Sequence, residues 1–307
     1  FRRDYRAFRR GNWQVTTTLV WSGEQWQITA VEAGDTTAYH YGLALDLGST
    51  MLAMELIDMN TGEVMAADGE PNPQIPYGED ILSRITYGKD QEEHLRELQQ
   101  AAVQGINALI QRLCRRANVG AKHITLMTVG GNTTMIHFFM GMDAFCVFMT
   151  PFAPTFNSMG FIPGEELGLD FQGLVYCLPS IANYLGGDII SGLLTVNMTD
   201  EDKLCLYMDI GTNGEMVIGN KEFLFAGAGA AGPALEGGIS KFGIRAKEGA
   251  VSHLHIIGDD MVIETIGNRP ALGICGSGIV DLLAEMLLSG WMDKQGKLVM
   301  GASPRIV

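Results

Sequence analysis

Leu43-Ala44-Leu45-Asp46-Leu47-Gly48-Ser49-Thr50 reads as an apolar strand ending in Asp, one apolar residue, Gly and small hydroxyl residues. Leu206-Tyr207-Met208-Asp209-Ile210-Gly211-Thr212-Asn213 repeats the pattern. Each copy runs into a second strand, Met51 to Ile57 and Glu215 to Ile218, then a turn and a third strand. Two copies so far apart predict two lobes of like fold. The pattern suits a nucleotide. A tight Gly-containing hairpin turns backbone N–H groups toward a phosphate where a side chain would block approach. A strand-end Asp beside a triphosphate can hold Mg²⁺ through its water shell. One such turn alone is an ordinary hairpin; two, each opening a three-strand meander, are much harder to explain that way.

The composition fits such a chain and narrows its partners. Its 307 residues can bury two cores, and 47% hydrophobic with 18% charged residues is globular. A net charge of −14 without a basic stripe argues against nucleic acid. The richest apolar run, Phe138 to Phe152, is broken by Gly141 and Asp143, so no membrane span is expected. No signal peptide is visible, and the chain opens on Phe1, which reads as a cut end. Cys114, Cys146, Cys177, Cys205 and Cys275 are too scattered for a CxxC metal site or an iron–sulfur cluster. Buried thiols are the expectation, which points to a reducing cytoplasm.

Residues 1–41 read as a short β-rich piece, Trp13 to Trp21 pairing with Gln25 to Val31 through Ser22-Gly23-Glu24. Pro71 to Asp80 reads as a stiff loop. A helix is predicted from an Asp90 N-cap to a stop at Gly120, with Leu95, Leu98, Ile106, Leu109, Ile110 and Leu113 as its apolar stripe. Arg112, Arg115 and Arg116 fit helix-end charges better than a binding patch. Ile124 to Val129 and Leu174 to Leu178 read as strands. Gly130-Gly131-Asn132-Thr133-Thr134 and Gly186-Gly187-Asp188 each turn into a helix. His253 to Ile257 and Met261 to Ile266 form a hairpin.

Gly273-Ile274-Cys275-Gly276-Ser277-Gly278 opens a last helix running to about Ser289. It lacks the βαβ setting of a Rossmann fingerprint and the Gly-Lys-Ser/Thr of a Walker loop. Close helix–strand packing is the lesser alternative to contact with a flat ligand. Following two Asp-Gly hairpins, it gains weight as an adenosine-side loop.

In this order the elements resemble the superfamily of acetate and sugar kinases, heat-shock chaperone ATPases and actin. Leu43–Thr50 and Leu206–Asn213 correspond to its phosphate motifs, Gly273–Asp281 to its adenosine motif, and Tyr184–Asp188 to its first connecting helix. More specifically, the chain resembles the ATP-dependent reductive activators of corrinoid proteins and their ferredoxin-like relatives. That resemblance rests on Asn72-Pro73-Gln74-Ile75-Pro76-Tyr77-Gly78-Glu79-Asp80-Ile81-Leu82-Ser83-Arg84-Ile85, on Gly130–Met135, on Asp209–Glu215 and on Ala231–Gly237. It covers nearly everything from Tyr41 on.

The resemblance implies an α/β fold: two actin-like, ribonuclease-H-like lobes with mixed sheets flanked by helices, and a nucleotide cleft between them. It divides the chain into the end of a middle or linker domain (1–41), a first lobe (42–197) and a second lobe (198–307) that stops before its second connecting helix. It implies an ATPase that couples ATP to reduction of a Co(II) corrinoid in a methyltransferase partner. A [2Fe–2S] cluster is expected only in an N-terminal domain outside these residues. Asp46 and Asp209 are expected to hold Mg²⁺. Gly48, Ser49 and Thr50 would cradle one end of the phosphate chain, and Gly211, Thr212 and Asn213 the other. Asp188 would orient the attacking water or ligate the metal, or be a plain N-cap. Gly232, Gly276, Ser277 and Gly278 would line the adenosine side, Glu236 the ribose, and Lys241 or Arg245 the base. A corrinoid protein is the expected partner, neither nucleic acid nor membrane is expected, and a homodimer is left open. Two alternatives stay open. A small-molecule kinase on the same fold would use Asn72, Gln74 and Arg84 to line a substrate cleft. A nucleotide-gated assembly module would leave the activator motifs unexplained.

Overall fold

Local pattern accounts for most of the elements in the computed structural model, which describes residues 5–211, 213–229 and 240–306. The chain forms two compact units, residues 1–201 and 202–307. The first opens with α1 (Tyr5–Arg10), a helical turn the sequence did not announce. The expected hairpin follows as β1 (Val15–Trp21) and β2 (Trp26–Ala33), with Trp21 opposite Trp26. Trp13 falls outside it, at a left-handed φ of 67°. His123 Nδ1, 3.0 Å from Glu32 Oε1, and a His123–Tyr39 ring stack tie this hairpin to the rest of the unit.

The meander is β3 (Tyr41–Leu47), β4 (Met51–Asp58) and β5 (Val64–Pro71), antiparallel throughout. Period-two alternation sends Leu43, Leu45, Leu47, Leu52, Met54 and Leu56 into the core, while Asp46 and Glu55 face the other way. The chain then makes α2 (Ile81–Gly88) and α3 (Glu92–Ala117) before returning as β6 (Ile124–Gly130), parallel to β3. Next come α4 (Thr133–Phe139), β7 (Phe161–Pro163), β8 (Leu174–Cys177) and α5 (Gly187–Val196). The six-stranded sheet has the order β5-β4-β3-β6-β8-β7, parallel across β3-β6-β8 and antiparallel at both ends.

The predicted stripe of α3 is its core face: Leu98, Ile106, Leu109, Ile110 and Leu113 are essentially without exposed surface. Its ends differ from expectation. Asp90 adopts a left-handed φ of 57°, which an N-cap cannot use, and Gln91 precedes the first turn instead. Asn118, not Gly120, ends the helix in the left-handed conformation. Asp80, read as loop, N-caps α2 by accepting from the Ser83 N–H at 2.7 Å. Arg112 is not merely a helix-end charge. Its Nε and Nη2 reach Asp68 Oδ2 and Glu70 Oε2 at 2.6 and 2.7 Å, tying α3 to β5.

The second unit repeats the meander as β9 (Cys205–Ile210), β10 (Gly214–Gly219) and β11 (Leu224–Gly229). A separate sheet joins β12 (Ala250–Ile257) and β13 (Asp260–Thr265) in a hairpin, with β14 (Gly273–Ile274) parallel to β12. Two residues later α6 (Gly276–Leu288) begins and packs along β12. Asp281 and Glu285, one turn apart on α6, accept from the Leu254 and Ile256 N–H groups at 3.2 and 2.8 Å. They satisfy an edge that would otherwise stay open. Among the described residues no helix is long and apolar enough to cross a membrane.

Candidate functional site

The turn after β3 is shaped by what lies behind it. Leu47 pairs with Leu52, so residues 48–51 form the loop, and a Cβ at Gly48 would stand 2.6 Å from Met51 O. Asn72 Nδ2 donates to Gly48 O at 2.7 Å, Arg84 Nη2 to Ser49 O at 2.6 Å, and the Asn72 N–H to Thr50 O at 2.8 Å. Asn72, Gln74 and Arg84 are buried, with Gln74 Nε2 donating to Leu98 O. They therefore do not line a substrate cleft, as the kinase alternative required. They brace the turn from inside.

Asp46 sits two residues before this turn and is exposed. Its register neighbours are Ala53 on β4 and Gly130 on β6, both small, which leaves room around its carboxylate. Gly130 faces the Gly187 carbonyl and Ser191 of α5. Parallel register partners share a face, so Asp46 and the first turn of α5 lie on the same side of the sheet. That turn carries Asp188. The N-cap of α5 is Gly186, so the plain N-cap reading of Asp188 does not hold; Asp188 Oδ1 accepts from the Ile189 N–H at 2.8 Å. The helix start is pinned to the neighbouring turn, with the Gly187 N–H donating to Gly131 O at 2.8 Å. A Cβ at Gly186 would lie 2.2 Å from that same oxygen, so only glycine allows the approach. Gly48–Thr50, Asp46, Gly130–Asn132 and Gly186–Asp188 thus gather at the end of β3 and β6 from which those parallel strands exit, the usual ligand-binding edge of such sheets. The N-terminal dipole of α5 favours an anion there.

In the second unit Asp209 is opposite Glu215, an acidic neighbour to which the sequence reading gave no role. The turn is shorter by one residue than its counterpart: Ile210 pairs with Gly214, and the Gly211 N–H donates to Asn213 O at 2.8 Å. The repeat therefore resides in the strands and the Asp position, not in the turn itself. Thr212, Gly232 and Glu236 lie outside the described residues. Of the Gly-rich loop, Ser277 is exposed and donates to Ser252 O at 2.9 Å. Gly278 packs tightly, since a Cβ there would meet Val251 O at 2.3 Å. Close helix–strand packing accounts for Gly278.

Cys177 and Cys275 are buried as expected, whereas Cys114, Cys146 and Cys205 are only partly so. Burial pushes the Cys177 thiol up to about 12, which makes it unreactive. Among the described residues no group of three or more His, Cys, Asp or Glu side chains is placed to hold a metal. Carboxylate oxygens such as Asp46 and Asp209 still suit a hard cation that keeps most of its water.

Residues 203–307 match the model described as the C-terminal domain of RACo, the ASKHA domain, and residues 41–201 match the one described as the RACo middle region. The fold is thus that of the acetate and sugar kinase, heat-shock chaperone and actin class, with mixed sheets flanked by helices, as the paired Asp-Gly hairpins implied. Within that class the chain belongs to the RACo family. It is 30% identical over 263 residues to the corrinoid activation enzyme RamQ of Eubacterium limosum, covering 85% of this chain and 44% of that one. It is 24% identical to the [Co(II) methylated amine-specific corrinoid protein] reductase of Methanosarcina barkeri, covering 85% and 54%. A solved reductive activator for corrinoid, iron–sulfur protein superposes with a TM-score of 0.85 at 35% identity, covering 98% of this chain and 48% of that one. The chain spans about half the length of the relatives it matches.

Proposed function

We propose that this chain is the nucleotide-driven part of a reductive activator of corrinoid proteins. It binds ATP with Mg²⁺, hydrolyses it, and uses the difference in affinity between two conformations to bias electron transfer to the Co(II) corrinoid of a methyltransferase partner. The observation that carries the reading is the braced turn at Gly48–Thr50 beside Asp46, in a chain both of whose units match RACo models. Membership in the family supports the partner; the turn supports the nucleotide.

The roles proposed for the residues are those that the family resemblance implies. Gly48, Ser49 and Thr50 receive phosphate oxygens on backbone N–H groups, and Gly211, Thr212 and Asn213 form the matching phosphate-side turn of the second unit. Asp46 and Asp209 would hold Mg²⁺ through water, and the ion would supply positive charge at the phosphates. Asp188 orients the water that attacks the γ-phosphorus, with ADP leaving. Gly232, Glu236, Gly276, Ser277 and Gly278 serve the adenosine. ATP does no chemistry on cobalt; it acts only through its preference for one conformation. Electrons come from an iron–sulfur domain outside these residues. The domain boundaries read from the sequence, 1–41, 42–197 and 198–307, belong to the same proposal, as does a cytoplasmic setting.

Phosphate release from ATP tests the reading, measured with and without a cobalamin-loaded protein held in the Co(II) state. Slow basal turnover that rises with the partner is expected. Stoichiometric phosphorylation of a small metabolite would establish the kinase alternative instead.

A further inference from the structure

Three consecutive carbonyls, those of Gly48, Ser49 and Thr50, are held from inside the unit by Asn72 and Arg84. A trans peptide is planar, so its C=O and the following N–H point to opposite sides. Fixing the Gly48 and Ser49 carbonyls inward therefore fixes the Ser49 and Thr50 N–H groups outward.

Arg84 has no exposed surface. Its Nε donates to Gly78 O at 2.8 Å, and its Nη1 lies 3.5 Å from both Gln74 Oε1 and Met135 Sδ. With Ser49 O, all these acceptors are neutral. Among the described residues no carboxylate lies within ion-pair distance of it. Asp80, the opposing charge felt at the guanidinium, accepts from the Ser83 N–H through its Oδ1. Burial pushes the guanidinium down to about 10, which still leaves it protonated at neutral pH. A cation buried with only neutral hydrogen-bond partners is costly, and an apolar side chain would fill the space at less cost. An anion seated on the outward N–H groups would supply the missing charge across a single turn of backbone.

We infer that Arg84 and Asn72 are positioning residues for the triphosphate: they pre-set the Gly48–Thr50 turn, and Arg84 adds a buried positive charge behind it. This rests on the nucleotide reading above. It also gives a physical task to Asn72 and Arg84, two buried polar residues of the Asn72–Ile85 motif.

Calorimetry on the whole chain, with Mg²⁺ and a non-hydrolysable ATP analogue against adenosine, separates the two ideas. Arg84→Met should weaken the analogue by about tenfold or more, as expected for losing one charge-assisted interaction. Adenosine affinity should stay unchanged. Arg84→Lys, which keeps the charge but not the planar fork, should fall between. Leu109→Ala, equally buried but remote from the turn, controls for lost stability and should alter neither ligand. If Arg84→Met does not fold, as judged by circular dichroism, Arg84→Lys and Asn72→Ser carry the test with the same expected selectivity. Equal analogue affinity in the Arg84 and Asn72 variants and the unaltered chain, or parallel losses of analogue and adenosine, would overturn the inference alone. Failure of the unaltered chain to bind the analogue would overturn the nucleotide reading, and the inference with it.

Discussion

Arg112→Met probes how the sheet that carries the Asp46 turn is tied to its supporting helix. Arg112 bridges two carboxylates on one face of β5, at 2.6 Å to Asp68 and 2.7 Å to Glu70. The three side chains retain 30%, 16% and 21% of their surface, so water reaches the pair without dissolving it. Charge-assisted hydrogen bonds contribute about 1.5–3 kcal/mol each at best, and partial exposure puts this pair at the lower end. Methionine keeps the helix propensity and most of the stem packing. It leaves Asp68 and Glu70 as like charges two residues apart on one strand face. The expected loss at pH 7 is about 2 kcal/mol. The pH dependence has a definite sign. The Arg112 hydrogen bond, the largest cause, holds the Asp68 carboxyl below its ordinary range. A lowered folded value means stability that is present above the unfolded value and lost as pH falls through the folded one. The gap between unaltered chain and variant should therefore be full well above the ordinary carboxylate range and shrink as pH falls below it. Urea unfolding followed by circular dichroism at pH 7 and pH 3, at one ionic strength, measures it. A gap under about 0.5 kcal/mol at pH 7, or one of equal size at both pH values, would refute the reasoning.

Two further outcomes follow from the site. Asp46→Asn and Asp209→Asn should each weaken Mg²⁺-dependent binding of the ATP analogue by about tenfold or more in calorimetry, and unchanged binding in both would remove them from the metal site. Gly186→Ala should push the start of α5 off Gly131 O, because its Cβ would begin 2.2 Å away. A shift of about 1 Å at Asp188 should lower partner-stimulated phosphate release about a hundredfold while changing analogue affinity far less; hydrolysis at the unaltered rate would show that α5 does not position the attacking water.

What could be read along the chain were features set by neighbours in sequence. The alternation of Leu43, Leu45 and Leu47 names the buried face of β3, and the 3.6-residue spacing of Leu98, Ile106, Leu109 and Leu113 names the core side of α3. Asp-x-Gly followed by a second strand gave both meanders, and the Gly pairs marked the starts of α4 and α5. Even the family was legible, since long motifs such as Asn72–Ile85 are specific as strings. The sequence did not show what those strings do. Asn72 and Gln74 are polar residues in a Pro-rich stretch read as a stiff loop, and Arg84 follows it on α2. They are buried because the fold carries the carbonyls of Gly48, Ser49 and Leu98, some 24 to 35 positions away, to within reach of their donors. Arg112 met carboxylates 42 and 44 positions back, and Asp281 and Glu285 met the edge of β12, for the same reason. Propensity and periodicity depend on bonds between near neighbours and are written in order along the chain. Hydrogen-bond partners of a buried polar group are chosen by which distant backbone the packing brings alongside, and only the tertiary structure decides that.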